Sequence, residues 1–155
     1  MTKILFVCHG NICRSPMAEF VMKDLVRRAG LENEVFVASA ACRRDEIGAD
    51  TYLGTREKLD EMGVPYEKRR ARQITMDDYE QYDFIVAMDE ENMRDLACMT
   101  QGDPAKKTRL LMEYAGERRG VADPWYTGDF DATYHDVRLG CGAILEELQK
   151  RRRES

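Results

Sequence analysis

Ile4-Leu5-Phe6-Val7-Cys8-His9-Gly10-Asn11-Ile12-Cys13-Arg14-Ser15-Pro16 runs from an apolar tetrad through a small polar loop into a helix start. Four apolar residues in a row, without alternation, describe a strand covered on both faces, as in a parallel sheet. Ser15 is a helix-capping residue type and Pro16 suits the first helical position. Met17, Phe20, Val21 and Leu25 then share one face before Gly30 stops the helix. A loop lodged between a buried strand and a helix amino end can gather inward-pointing N–H groups into a concave anion site. Gly10 and Asn11 both tolerate the positive φ that turns amides inward.

Outward from this stretch, Val35-Phe36-Val37 reads as a second strand and Tyr52 to Met62 as a second helix, closed by Gly63 and Pro65. Thr75 with Asp78 marks another helix start, followed by the strand Phe84-Ile85-Val86-Ala87. Asp89 caps a helix expected to run through Leu96, and Thr108 to Met112 supplies a fourth short strand. In the last helix Val137, Cys141, Ile144, Leu145 and Leu148 recur at three- and four-residue steps. Strands alternating with helices predict an α/β fold, an open parallel sheet with helices on both faces, whose ligands bind beyond the carboxyl ends of the strands.

A chain of 155 residues, 43% hydrophobic and 34% charged, fits one domain over 1–155 and excludes disorder by composition. With 29 acidic against 24 basic side chains the net charge is -5, which leaves no overall footprint for nucleic acid. The apolar run near the amino end is too short for a signal peptide or a membrane span, so a cytoplasmic protein is expected. Five cysteines, an odd number, suit a reducing compartment better than a disulfide framework.

Cys8 would feel the helix dipole, the converging N–H groups and Arg14, all of which favour a thiolate. Arg14 can grip two phosphate oxygens with its planar fork, and Ser15 can donate to the sulfur. Such a thiolate can attack phosphorus in line while the equatorial oxygens meet donors already in place. The acid for the leaving oxygen is expected at Asp123, in Ala122-Asp123-Pro124-Trp125-Tyr126, where Pro124 stiffens the loop and the aromatics would shield the carboxyl from water. Zinc is not expected, because Cys8, His9 and Cys13 lack a second ligand pair and the remaining histidine is His135. Cys42, Cys98 and Cys141 read as small apolar side chains. Lys68 to Arg72 reads as a solvated basic turn with Arg72 structural, and the acidic residues Asp77, Asp78 and Glu80 as a helix amino end facing water. Lys150 to Arg153 suit a helix carboxyl end.

Cys8-x5-Arg14-Ser15 after the first strand, Ala71-Arg72-Gln73, and Asp123-Pro124 together resemble the low-molecular-weight protein tyrosine phosphatase family over nearly the whole chain. Ser15-Pro16-Met17-Ala18-Glu19, Ser39-Ala40, Ala87-Met88-Asp89 and Gly140-Cys141 match as well. The resemblance implies a three-layer α/β/α fold around a four-stranded parallel sheet and cofactor-free hydrolysis of phosphotyrosine and aryl phosphates through a phosphocysteine. Cys8, Arg14 and Asp123 would be catalytic. His9, Gly10, Asn11, Ile12, Cys13, Ser15, Asp45, Trp125 and Tyr126 would bind substrate. Phosphotyrosine-bearing proteins would be the partners and inorganic phosphate the product. Asn11 would hold the loop in shape, and Cys13 would form a reversible disulfide with Cys8, protecting the nucleophile from further oxidation.

Three departures stand out. The family's Ser-Ala-Gly-Thr and following aromatic residue are here Ser39-Ala40-Ala41-Cys42 and, by register, Asp45, so stacking on a phosphotyrosine ring passes to Trp125 or Tyr126. Arg69 stands where the family often has a histidine supporting Asn11. Trp125 stands where a tyrosine is usual, leaving Tyr126. Arsenate reductases share this fold and relay a disulfide through further cysteines, with Cys98 roughly in range, but need no leaving-group acid. Protein-arginine phosphatases tend to carry threonine where this chain has Ile12. A non-catalytic phosphate-binding module is the remaining alternative.

Overall fold

In the computed structural model, which describes residues 1–154, the elements in chain order are β1 (Thr2–Cys8), α1 (Arg14–Arg28), β2 (Val35–Ala41), α2 (Leu53–Glu61), α3 (Met76–Gln81) and β3 (Phe84–Ala87). They continue as α4 (Glu90–Thr100), β4 (Thr108–Leu110), α5 (Leu111–Tyr114), α6 (Pro124–Thr127) and α7 (Phe130–Glu154). The four strands pair in parallel in the order β2-β1-β3-β4. Helices cover both faces of the sheet, as the continuous apolar run of β1 requires.

Alternation along β1 divides the core. Ile4, Phe6 and Cys8 face one layer with Met17, Val21 and Met22 of α1, Leu59 of α2, and Val137, Cys141 and Ile144 of α7. Leu5 and Val7 face the other with Tyr79 of α3 and Leu96 of α4. Ile4, Leu5, Phe6 and Val7 are fully buried, so β1 is the spine of the molecule; truncating Phe6 to alanine would cost about 3–5 kcal/mol. The long α7 lies close on its neighbours because Gly140 meets Leu111 and Gly54 meets Phe130; a Cβ at either glycine would clash at 2.4 Å. Among the described residues no helix is long and apolar enough to cross a membrane.

Because β1 is central, the chain runs from β1 to β2 on one side and then crosses back past β1 to β3 on the other. The crevice at such a switch point opens at the carboxyl ends of β1 and β3. Into it come the loop after Cys8, the amino end of α4 and the segment before α6.

Several local expectations are corrected. Helix α1 begins at Arg14 with Cys13 at the cap position and no side-chain cap bond, because the Ser15 hydroxyl is turned to Cys8 and Asn11 instead. Strand β4 ends at Leu110. Leu110 belongs to one core layer while Leu111 and Met112 both belong to the other, which a helical turn can satisfy and an alternating strand cannot. Helix α4 continues past Leu96 to Thr100. The segment after Asp123 is a helical turn with Asp123 as its cap, accepting from the Trp125 N–H at 3.1 Å. Asp78 is buried rather than water-facing: it forms the capping box with Thr75 and takes both Nη groups of Arg72, at 2.8 and 3.2 Å. That pair makes Arg72 structural, as the sequence suggested. Cys98 is exposed and Cys42 half-buried, so only Cys141 among the three is fully in the core.

Candidate active site

Cys8 is the last residue of β1, and its Sγ lies 3.0 Å from Ser15 Oγ. Between them the chain turns through a loop whose outer side is tied down. The carbonyls of Cys8, His9 and Ile12 accept from the N–H groups of Cys42, Arg43 and Tyr52 at 2.9, 3.0 and 2.8 Å. The first helical bond is Met17 N–H to the Cys13 carbonyl, which leaves the N–H groups of Arg14 and Ser15 outside the helical ladder at the loop's mouth.

Asn11 is the hub of this loop. It sits at φ 60, the one residue of the turn in the left-handed region. Gly10 does not use that freedom; its value is space, since a Cβ would press on Glu46 Cγ at 3.2 Å. The Asn11 side chain is fully buried and wholly engaged. Its Oδ1 accepts from Arg69 Nη2 and from the Arg72 N–H, so its Nδ2 faces the hydroxyls and donates to Ser15 Oγ at 2.8 Å and Ser39 Oγ at 2.9 Å. Ser39 passes its own proton on to Glu19 Oε1 at 2.5 Å, and Glu19 pairs with Lys23 at 2.6 Å. With an oxygen lone pair of Ser15 engaged by Asn11, the Ser15 proton is free to point at the Cys8 sulfur. Arg69 thus performs the support that the family assigns to a histidine, and burial pulls its guanidinium below the ordinary value.

Arg14 is buried at 3% exposure, with Nη1 on Asp89 Oδ2 at 2.7 Å and on the Val121 carbonyl at 2.9 Å. Its Nη2 reaches Asp123 Oδ2 at 3.4 Å. Burial works against the charged form, yet the Cys8 sulfur and Asp89 outweigh it and hold the guanidinium above its ordinary value. Asp123 is brought alongside by close threading of the segment before α6. Gly120 passes against Asp89 where a Cβ would stand 3.0 Å away, Val121 N–H bonds the Met88 carbonyl at 2.7 Å, and Thr133 Oγ1 holds the Ala122 carbonyl at 3.0 Å.

A cleft of about 370 Å³ opens above the sulfur, lined by Cys8, His9, Gly10, Ile12, Cys13, Arg14, Asp45, Glu46, Asp89, Glu91, Asp123, Trp125 and Tyr126. Asn11 and Ser15 lie behind the lining and act through it. The aromatics form a rim and not a lid: Trp125 is 52% and Tyr126 84% exposed. Trp125 packs edge-on against Tyr52 at 5.0 Å, and Tyr52 stacks in turn on Phe130. Asp45 also lines the cleft, 2.5 Å from His9 Nε2, while His9 Nδ1 meets Glu91 Oε1 at 3.1 Å. Burial, then the nearby Cys8 and Asp123, push the Cys13 thiol up to about 12.

Sequence reading missed Glu91, Glu46, Tyr52 and the partnership of Asp89 with Arg14. The available signal was position: Asp89 and Glu91 follow the carboxyl end of β3, which neighbours β1.

Comparison with known proteins agrees with this geometry. The low molecular weight protein-tyrosine-phosphatase YfkJ of Bacillus subtilis is 37% identical, with 97% of each chain covered, and its crystal structure superposes with a TM-score of 0.94 over 97% of this chain and 96% of that one. The low molecular weight phosphotyrosine protein phosphatase of Gallus gallus is 37% identical over 93% of this chain and 94% of its own. The structure of a Drosophila arginine phosphatase, 31% identical, matches with a TM-score of 0.84 over 95% of this chain and 98% of that one. Residues 3–154 match the family described as low molecular weight phosphotyrosine protein phosphatase, and the chain belongs to that family.

Proposed function

We propose that this chain is a protein tyrosine phosphatase that hydrolyses phosphotyrosine and aryl phosphate monoesters through a phosphocysteine at Cys8. The observation that carries the reading is the convergence of Cys8, Arg14 and Asp123 on one cleft, with Ser15 3.0 Å from the sulfur and Asp123 3.4 Å from Arg14.

The phosphoryl group sits in the loop from His9 to Ser15, against the Arg14 guanidinium. The Cys8 thiolate attacks phosphorus, forming the S–P bond as the P–O bond to the aryl oxygen breaks; Asp123 gives its proton to that oxygen. Charge on the equatorial oxygens is met by loop N–H groups and Arg14, already fixed by Asp89 and the Val121 carbonyl, so no reorganisation is needed. In the second step water attacks phosphorus, the Asp123 carboxylate takes its proton, the S–P bond breaks and inorganic phosphate leaves. Ser15 donates to the departing thiolate. No step calls for a cofactor.

Trp125 and Tyr126 at the rim suit the flank of an aryl ring, which favours phosphotyrosine in proteins over alkyl esters. The disulfide relay of an arsenate reductase finds little support, because Cys98 is the ninth residue of regular α4 and not on a free segment. Phosphoarginine is the second reading, favoured by the Drosophila relative and by the carboxylates of the rim; phosphoarginine peptides belong in the same assay. A binding module without catalysis would leave para-nitrophenyl phosphate intact. No turnover by the wild type defeats the phosphatase reading, and turnover that survives Cys8→Ser defeats the mechanism.

All five cysteines are free thiols, which fits the cytoplasm. We assign Cys13 as redox partner: a sulfenic acid formed on Cys8 by peroxide condenses with the protonated Cys13 thiol, losing water to give the disulfide. Peroxide inactivation should be reversed by dithiothreitol in the wild type and only poorly in Cys13→Ser.

A further inference from the structure

His9, the residue after the nucleophile, has both ring nitrogens on carboxylates, Nε2 on Asp45 and Nδ1 on Glu91. A neutral imidazole has one N–H and can donate to only one of them; the second nitrogen then presents a lone pair to an anion. The observed geometry is therefore that of the imidazolium. Hydrogen bonding to Asp45, opposed by partial burial and helped by Glu91, raises its pKa above 6.5.

The other charges nearby are already committed. Arg43, on the same loop as Asp45, gives its guanidinium to Asp95 at 2.9 Å through two nitrogens. Arg14 is held by Asp89 and Asp123. Glu46 lines the same wall and adds to its negative charge. Arg43 still acts on Asp45 and Glu91 through space, but His9 is the cation hydrogen-bonded to both, and those carboxylates are half-exposed or more, at 61% and 51%, in the lining of the cleft.

We propose that His9 determines the specificity of the cleft by competing with the substrate for Asp45 and Glu91, so that the enzyme discriminates among phosphotyrosine peptides by the charge beside the phosphotyrosine. While the imidazolium holds both carboxylates, a basic flanking residue gains little. When His9 is neutral, one carboxylate is released and takes a lysine or arginine of the substrate. The inference rests on the phosphatase reading above and names a substrate class within it: phosphotyrosine with a basic neighbour.

The sign follows from the raised value. The clasp is complete below the ordinary histidine range and is lost as pH rises through the higher folded value. The test is the ratio of kcat/KM for two phosphotyrosine peptides that differ only in lysine or glutamine next to the phosphotyrosine. Ionisations of Cys8, Asp123 and the phosphate are common to both peptides and cancel. In the wild type the ratio should rise about threefold between about pH 5.5 and about pH 8.5, the scale of one exposed ion pair.

In His9→Gln the ratio should be high and flat with pH; in His9→Lys, low and flat; in the double variant Asp45→Asn, Glu91→Gln, near unity throughout. A purely structural histidine would not be matched by lysine in this ordered way. Turnover of both peptides with a flat wild-type ratio, or a pH-dependent ratio surviving in His9→Gln, would overturn the inference while leaving the phosphatase reading intact. Turnover of neither peptide would overturn both.

Discussion

The floor and the rim of the cleft are built on opposite plans. At the floor, Cys8, Asn11, Arg14 and Ser15 are all buried, and each polar atom of Asn11 has protein partners from α1, β2 or the 69–72 segment. At the rim, the side chains of His9, Asp45, Glu91 and Trp125 are held by one or two contacts each, His9 is half-buried, and Asp45, Glu91, Trp125 and Tyr126 lie open to solvent. A site that must stabilise developing charge benefits from donors that cannot relax, whereas a site that chooses among substrates needs surfaces that can be altered without disturbing the chemistry. Changes that break the hydrogen-bond network of the floor should therefore act on kcat and on folding together, an isosteric change of the nucleophile on kcat alone, and changes at the rim mainly on the ratio between substrates.

The largest effect expected is at the nucleophile. Cys8→Ser should lower kcat by about 10⁴-fold or more while leaving thermal stability close to wild type, because loss of a residue on which every step depends removes nearly all catalysis. Rapid-quench analysis with labelled aryl phosphate should trap phosphocysteine in the wild type and none in the variant. Next comes Asp123→Ala, with a loss of about 10²–10⁴-fold on phosphotyrosine. The loss should be smaller on para-nitrophenyl phosphate, whose leaving group needs less help from an acid. An equal loss on both would assign Asp123 to holding Arg14 rather than to proton transfer.

Asn11→Ala tests whether the floor is as rigid as its hydrogen bonds suggest. It strands the Ser15, Ser39, Arg69 and Arg72 groups and puts a Cβ-bearing residue without amide support at φ 60. The expected cost is about 3 kcal/mol of stability with a fall of about 10- to 100-fold in kcat. Arg69→Ala, which removes one of these partners, should cost less in both. Denaturant unfolding alongside steady-state kinetics separates the two contributions. A variant that folds normally and keeps full kcat would show that the loop is fixed by its outward carbonyl bonds alone.

The floor was also the part legible in the sequence, and for the same reason. A four-residue apolar strand, a loop of set length and a helix start are consecutive in the chain, so their placement follows from local rules. Cys8, Arg14 and Ser15 could be assigned roles before their distances were known. Local rules still failed at Ser15, which serves the sulfur instead of the cap, and at Leu111–Met112, where packing on α7 overrode an apolar run that reads equally well as strand. The rim is assembled from four separate segments, so His9, Asp45, Trp125 and Tyr126 were named through the family resemblance and not through local rules, and Glu91 was missed. The position of Glu91 after the carboxyl end of β3 places it near the crevice but does not announce its contact with His9 across 82 positions. Arg69 stood as a departure from the family pattern, and only its contact with Asn11 shows that the support survives with a different side chain.

The smallest expected effect sharpens the comparison most, because it asks whether the rim can be rewritten alone. Asp45, Trp125 and Tyr126 all line the cleft, so the rim offers an aryl ring both aromatic surface and a carboxylate. Asp45→Trp should supply the missing face and raise kcat/KM for aryl phosphates relative to alkyl phosphates by about three- to tenfold, the scale of one aromatic pair. It also removes a partner of His9, so the imidazole should titrate lower than in the wild type. A two-dimensional histidine NMR titration reads this directly, since His135 is the only other histidine. If the aryl-to-alkyl ratio stays unchanged while the His9 titration moves, Asp45 governs charge at the rim and takes no part in ring recognition. If both move with kcat on para-nitrophenyl phosphate held near wild type, then floor and rim are separable, as their contrasting burial implies.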